Sequence, residues 1–329
     1  MRNAYIISSG AYVPGRVVPN AYFDELLGED VDTWLRENVQ IFERRWCTAG
    51  ESTADLCEGA ARQALQRAGI RADQLGLVIV STDTPEFISP STASVVQDRI
   101  GAHNAGTFDV NSACAGFVTA LDIGAKYLQA DEQYDYILVI GAYAMSKYLN
   151  LEDKKTVTLF ADGAGAVVLG ATASPGKGFL ASQLLSKGQY HSWMGIYAGG
   201  TRYPLDEDVL AHHDHQLKFI HKFPKTLNPE IWSEMARRLC ERIGATPEQI
   251  NHYVITQINI NSIWDTMDRL GIEREKAPTV MHRYGYTGSA CIPMALNEIM
   301  EEGRVKPGDL VLFIGSGGGL AFAGAAFRM

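Results

Sequence analysis

No stretch of this chain approaches the ~18–20 uninterrupted apolar residues of a membrane span, which excludes a helical transmembrane protein. Basic residues are also short: 29 Lys and Arg stand against 38 Asp and Glu, a formal charge of −9. That balance argues against a general nucleic-acid binder, which carries a basic stripe, and leaves local basic patches as the feature to look for. The five cysteines are scattered, with no paired framework and no CxxC motif, as suits thiols kept free in a reducing compartment. The opening segment MRNAYIISSGAYVPG has only a short apolar run before Gly10 and Pro14 and lacks the features of a signal peptide. A cytoplasmic location is therefore expected. No Pro/Gly/Ser-rich linker divides the chain. What remains is the composition of a packed enzyme: 329 residues, 46% hydrophobic, 20% charged and 9% aromatic, about twice the usual domain length.

That length resolves into an internal repeat. GIRADQLGLVIVST from Gly69 and GATPEQINHYVITQ from Gly244 lie about 175 residues apart and run in parallel. In each, a Gly ends a helix-like stretch, a polar turn follows, and a β-branched run reads as a buried strand. NSACAGFVTAL from Asn111 lies opposite YTGSACIPMAL from Tyr286, and YDYILVIGAY opposite GDLVLFIGSG, two buried strands expected to end at Gly141 and Gly315. Two similar α/β halves, 1–175 and 176–329, are thus expected to pack as one layered body, with a site built from matching turns of both. Residues 188–230 have no counterpart and are expected to form a loop or cap over one face.

Within the first half, Cys114 follows the strand-like TFDV and precedes a helix with apolar residues at Phe117, Leu121, Ile123 and Leu128. A thiol at a helix N-terminus faces unpaired N–H groups and the positive dipole end, both of which favour the nucleophilic thiolate. Small neighbours Ala113, Ala115 and Gly116 leave room for an acyl group. Taken alone, a cysteine among small residues is more often an inert core thiol, and Cys47, Cys57, Cys240 and Cys291 are read as such.

DVNSACAGF, with TPEFISPST upstream and FADGAGAVVLGA and IGSGGGLAFAGAAFRM downstream, resembles the thiolase superfamily, and more narrowly its β-ketoacyl-acyl carrier protein synthase III branch. The resemblance covers the whole chain and is weakest around 190–240. It implies a five-layered αβαβα fold of two βαβαβαββ halves, usually a homodimer. It further implies that Cys114 takes an acyl group from acyl-CoA or an acyl carrier protein, with no cofactor beyond the CoA or phosphopantetheine carrier, before condensation with a malonyl thioester. An oxyanion hole would come from the N–H groups of Cys114 and Gly318.

The departures are informative. The family's His-Gln-Ala-Asn motif reads Thr256-Gln257-Ile258-Asn259, and its Gly-Asn-Thr motif reads Gly285-Tyr286-Thr287; thirty residues separate Thr256 from Tyr286, as the family pattern requires. The usual His and Asn stabilise the enolate left by decarboxylation, and losing one such donor costs ~3–4 kcal/mol. Tyr286 can still donate, but its ring fills volume where an extender would sit. A substitute base is sought in His282 or in His212, His213 and His215, whose HHDH cluster lacks the further ligands of a metal site. At the carrier site Trp34 can stack on an adenine, while Asn38 and Asn261 stand where the resemblance implies Arg. Lys154 and Lys155 remain at the expected mouth. Weakened nucleotide contacts favour an acyl carrier protein, whose acidic surface would meet Lys218, Lys222, Lys225, Arg237 or Arg238. Ser89 and Ser316 stand where the family commonly has Phe, the first reaching across the dimer, so a longer, bulkier or more oxygenated acyl group than acetyl is expected. Phe160 is placed near the tunnel and Asp162 at a tight glycine turn with a structural role. Three functions follow: an acyl-Cys transferase with a non-standard second step, a conventional decarboxylative synthase of fatty-acid or polyketide synthesis, or a non-catalytic acyl-binding partner in a heterodimer with an active homologue.

Overall fold

The computed structural model, which describes residues 2–329, runs through the same order of elements twice. The first pass is β1 (Asn3–Tyr12), α1 (Thr53–Ala68), β2 (Leu77–Ser81), α2 (Thr92–Ile100), β3 (Gly106–Val110), α3 (Gly116–Ala130), β4 (Tyr136–Ala144) and β5 (Asp162–Thr172). The second is β6 (Gly178–Ser186), α4 (Leu227–Ile243), β7 (His252–Ile255), α5 (Ile260–Leu270), α6 (Cys291–Glu301), β8 (Leu310–Gly317) and β9 (Ala321–Arg328). Local chemistry sets the helix ends. Ser52 and Asp55 form a capping box at the start of α1, and Gly69 and Gly244 end α1 and α4 in the left-handed region that the repeat predicted.

The first sheet has the order β1-β5-β4-β2-β3, and the second has β6-β9-β8-β7. Each is parallel through the βα crossovers and antiparallel where its last two strands meet. Helices α3 and α6 lie between the sheets, with α1 and α2 outside the first and α4 and α5 outside the second, which gives the five expected layers. The second half departs from the repeat at one place. Where the first half has β3, it forms a short helix, Met281–Tyr284. The buried Gln257 amide takes the local backbone instead, donating to the Pro278 carbonyl and accepting from Val280 and Met281.

Two boundaries differ from the sequence expectation. β4 and β8 continue past Gly141 and Gly315 to Ala144 and Gly317. The glycines admit the central layer rather than stopping the strands: a Cβ at Gly141 would lie 2.3 Å from the Ser289 carbonyl oxygen. Gly165 likewise sits inside β5, not in a turn, and gives way to Pro293 of α6. The segment 188–230 is a structured cap. It pairs Met194–Gly195 with Lys218–Phe219, stacks Trp193 on Phe223 with ring centroids 5.3 Å apart, and runs into the first turn of α4.

Candidate active site

Cys114 sits in the turn between β3 and α3, where Ala113 takes a positive φ of 46° and donates its N–H to the Asn111 side chain. The turn brings Cys114 against β8 of the other half. A Cβ at Gly317 would lie 2.4 Å from the Cys114 nitrogen, so only glycine lets the two halves meet at the nucleophile's own amide. Gly318 follows in the same glycine turn and shares the cavity wall with Cys114.

The thiol is nevertheless not ionised by its position. Burial pushes Cys114 well above the ordinary thiol range, the Asp83 carboxylate pushes it further, and the Tyr286 hydroxyl works in the opposite direction. This corrects the expectation of a dipole-stabilised thiolate. Cys114 lies two residues before α3, and the amides of Ala115 and Gly116 already donate to the Ser112 and Ala113 carbonyls. With those donors used, desolvation dominates. The other four cysteines are buried too, with Cys240 pushed up to about 11 and Cys291 to about 12.

Opposite the sulfur stand the replaced partners. Tyr286 is buried, its backbone clamped by hydrogen bonds to Leu159 and Ala161. Its ring packs 5.3 Å from Phe160 and 6.5 Å from Tyr143. Thr256 is buried, and its hydroxyl accepts from the Ser316 N–H at 2.9 Å. Its own proton faces the Ser316 carbonyl at 3.5 Å, and the two contacts tie Ser316 into the wall.

A cavity of roughly 1100 Å³ connects this centre to the surface. Trp34, half exposed, stands at its mouth with Asn38, Lys154, Lys155 and the cap residues Lys222 and Lys225. Asn261 donates to the Asn38 carbonyl at 2.6 Å, joining the two halves across the opening. Asn259 caps α5 by accepting from the Asn261 N–H, which makes it a helix cap on the cavity wall. Lys154 pairs with Glu29 at 2.9 Å. Among the described residues, Lys155, Lys222 and Lys225 have no carboxylate partner, whereas Lys218 and Arg238 are paired with Asp214 and Glu234, and Arg237 bonds the Arg269 carbonyl.

The fold agrees with what is found by comparison. Residues 108–188 match the family description "3-Oxoacyl-[acyl-carrier-protein (ACP)] synthase III", and residues 240–329 match its C-terminal part. A beta-ketoacyl-[acyl-carrier-protein] synthase III of Clostridium perfringens (strain SM101 / Type A) is 36% identical over 332 residues, covering 100% of both chains. The chain belongs to the 3-oxoacyl-acyl carrier protein synthase III family. Among solved structures, the synthase III of Thermus thermophilus superposes with a TM-score of 0.90 at 32% identity, covering 99% of each chain. The priming β-ketosynthase of the R1128 polyketide pathway superposes at 0.91 with 27% identity, covering 99% of this chain and 96% of that one.

Several candidates are not at this synthase III cavity. Ser89 lies on an exposed loop beside Phe87 and Ile88, away from the cavity. His282 packs on Phe42, is held below its usual pKa by burial, and does not line the cavity. His212, His213 and His215 are outside it as well; His212 bonds the Asp208 carbonyl. Among the described residues no three His, Cys, Asp or Glu side chains gather as a metal site. Asp162 is structural, accepting from the Cys47 and Ser146 backbones. Sequence reasoning missed Asp83 and Tyr143, whose only local signal is their place just after β2 and near the end of β4.

Proposed function

We propose that this synthase III homologue is an acyltransferase that loads an acyl group onto Cys114 and passes it on by a non-standard second step. The Cys114 sulfur attacks the thioester carbonyl of acyl-CoA or an acyl carrier protein, and the carrier leaves as its thiol with the proton lost from Cys114. Gly318 and the Cys114 amide are assigned to the tetrahedral oxygen. The observation that carries the second half is the short Thr256 hydroxyl: it accepts from the Ser316 N–H at 2.9 Å and turns its own proton to the Ser316 carbonyl 3.5 Å away, so both its contacts are to the wall. Tyr286 fills the adjoining volume with its ring. The acceptor is then an alcohol, an amine, water or a second thioester. The Tyr286 phenol, which shares the cavity wall with Cys114, favours a second reading, in which that phenol alone supports decarboxylative condensation.

The neutral Asn38–Asn261 pair and the unpaired Lys155, Lys222 and Lys225 support an acidic carrier protein over free CoA. The half-exposed edge strand β3 and the exposed Phe87 and Ile88 support a second copy of the chain as the partner across that face. Intact-protein mass spectrometry after incubation with acyl-CoA and acyl carrier protein thioesters tests the proposal. The expected result is an adduct that disappears in Cys114→Ala, with little carbon dioxide released when malonyl thioester is added. Rapid release would support decarboxylative condensation. Absence of any adduct would overturn both enzymatic readings in favour of an acyl-binding partner.

A further inference from the structure

Among the described residues, three carboxylates line the cavity that reaches Cys114: Glu29, Asp30 and Asp265. Two of them are committed locally. Asp265 pairs with Arg269 at 3.1 Å along α5. Asp30 accepts from the Thr33 N–H at 3.1 Å and from the Thr33 hydroxyl at 2.8 Å, at the start of the helix Asp32–Asn38. Glu29 instead reaches a residue 125 positions away across the mouth, and both its oxygens lie on the Lys154 Nζ, at 2.9 and 3.0 Å.

Both partners stand on fixed backbone. Gly28 closes the helix Asn20–Leu27 in the left-handed region with a φ of 68°, and the Asp24 carboxylate accepts from the Val31 and Asp32 N–H groups at 2.7 and 3.1 Å. Glu29 is thereby held at the tip of a closed turn. On the facing rim, the Thr158 hydroxyl donates to the Lys154 carbonyl at 2.8 Å, and the Asp153 carboxylate accepts from the Lys155 N–H at 3.1 Å. An exposed ion pair of this kind adds little to stability. Its consequence lies in its position, because charges on the rim of a cleft set which anions approach.

A thioester whose carbonyl carbon touches the Cys114 sulfur must lead its carrier out through this opening. The pantetheine arm is neutral, so the first charge of the carrier lies where the cavity meets water. A carrier protein brings a single phosphodiester there, whereas CoA brings a pyrophosphate and a ribose phosphate together. Glu29 acts on these groups in two ways: it occupies Lys154, and it adds its own negative charge to the rim. Both effects grow with the number of phosphates at the opening.

We propose that Glu29 sets the carrier preference of the entrance, disfavouring nucleotide thioesters that bring several phosphates and leaving the single phosphodiester of a carrier protein arm as the better fit. This rests on the acyl-Cys114 reading and names the residue behind its carrier preference.

The test follows acylation of Cys114 by intact-protein mass with butanoyl-CoA, a butanoyl-loaded acyl carrier protein and butanoylpantetheine, each rate being divided by that of the phosphate-free butanoylpantetheine. In the wild type the carrier-protein ratio is expected to exceed the CoA ratio. Glu29→Gln keeps the shape and removes the charge; it is expected to raise the CoA ratio about fivefold or more at low ionic strength, and the carrier-protein ratio by less. Glu29→Lys is expected to raise the CoA ratio further. In ~1 M salt, where the screening length falls to about 3 Å, the gain is expected to shrink below about twofold. A wild-type preference for butanoyl-CoA, a CoA ratio unchanged in Glu29→Gln, a gain equal for both carriers, or a gain that survives salt overturns the inference while leaving the acyl-Cys reading standing. Failure of all three thioesters to mark Cys114 overturns both.

Discussion

The turn that carries Cys114 and its counterpart in the other half have the same shape and opposite uses. Both lead into a central helix, and the repeat sets Cys114 opposite Ser289. Ser289 donates to the Ala142 carbonyl at 2.7 Å and lies 3.1 Å from the Ser81 carbonyl, so its side chain fastens α6 to the first sheet. The Cys114 side chain makes no such fastening and faces the cavity. One copy of the turn has become a staple and the other a site. A duplicated fold therefore supplies two equivalent positions, and the side chains decide which is reactive.

The contrast can be broken most severely at the contact between the halves. Gly317→Ala forces a Cβ onto the Cys114 amide, and acylation monitored by mass is expected to fall at least ~10²-fold, because small displacements of a reacting group cost that much. A rate within threefold of the wild type would show that the amide's place is unimportant. The double variant Thr256→His with Tyr286→Asn restores the family pair; carbon dioxide release from malonyl thioester is expected to rise ~10²-fold, the value of one recovered donor. Asp83 provides a third comparison. Its rise from the ordinary 3.8 to about 6 means that the folded state holds this proton more tightly. Stability from this group is thus present at pH 4 and is lost as pH rises through about 6. Asp83→Asn is expected to stabilise the protein at pH 8 by up to about 3 kcal/mol and to have little effect at pH 4, as read from denaturant melts. The smallest effect belongs to the staple: Ser289→Ala should cost about 1–2 kcal/mol and leave the acylation rate unchanged.

What was legible in the sequence was local. Gly69 and Gly244 mark helix ends because the left-handed cap sits within the helix that needs it. Cys114 is visible because small residues, strand and helix flank it directly. The rest depends on distant groups. The Thr256 hydroxyl is bound by a residue sixty positions away. Gly141 reads as a terminator until Ser289 is seen packed on it. The missing third strand of the second half follows from the reach of Gln257 across more than twenty positions. Asp83 looked ordinary because the missing partner of its Oδ1 is a property of the assembled fold.

The approach of Gly317 to the Cys114 amide also has a meaning in time. A chain that has folded only its first half contains the cysteine and its turn but not the wall against which the turn is set. The thiol becomes a chemical site only when the second sheet docks. Labelling of Cys114 by a thioester would therefore report that the two halves have docked.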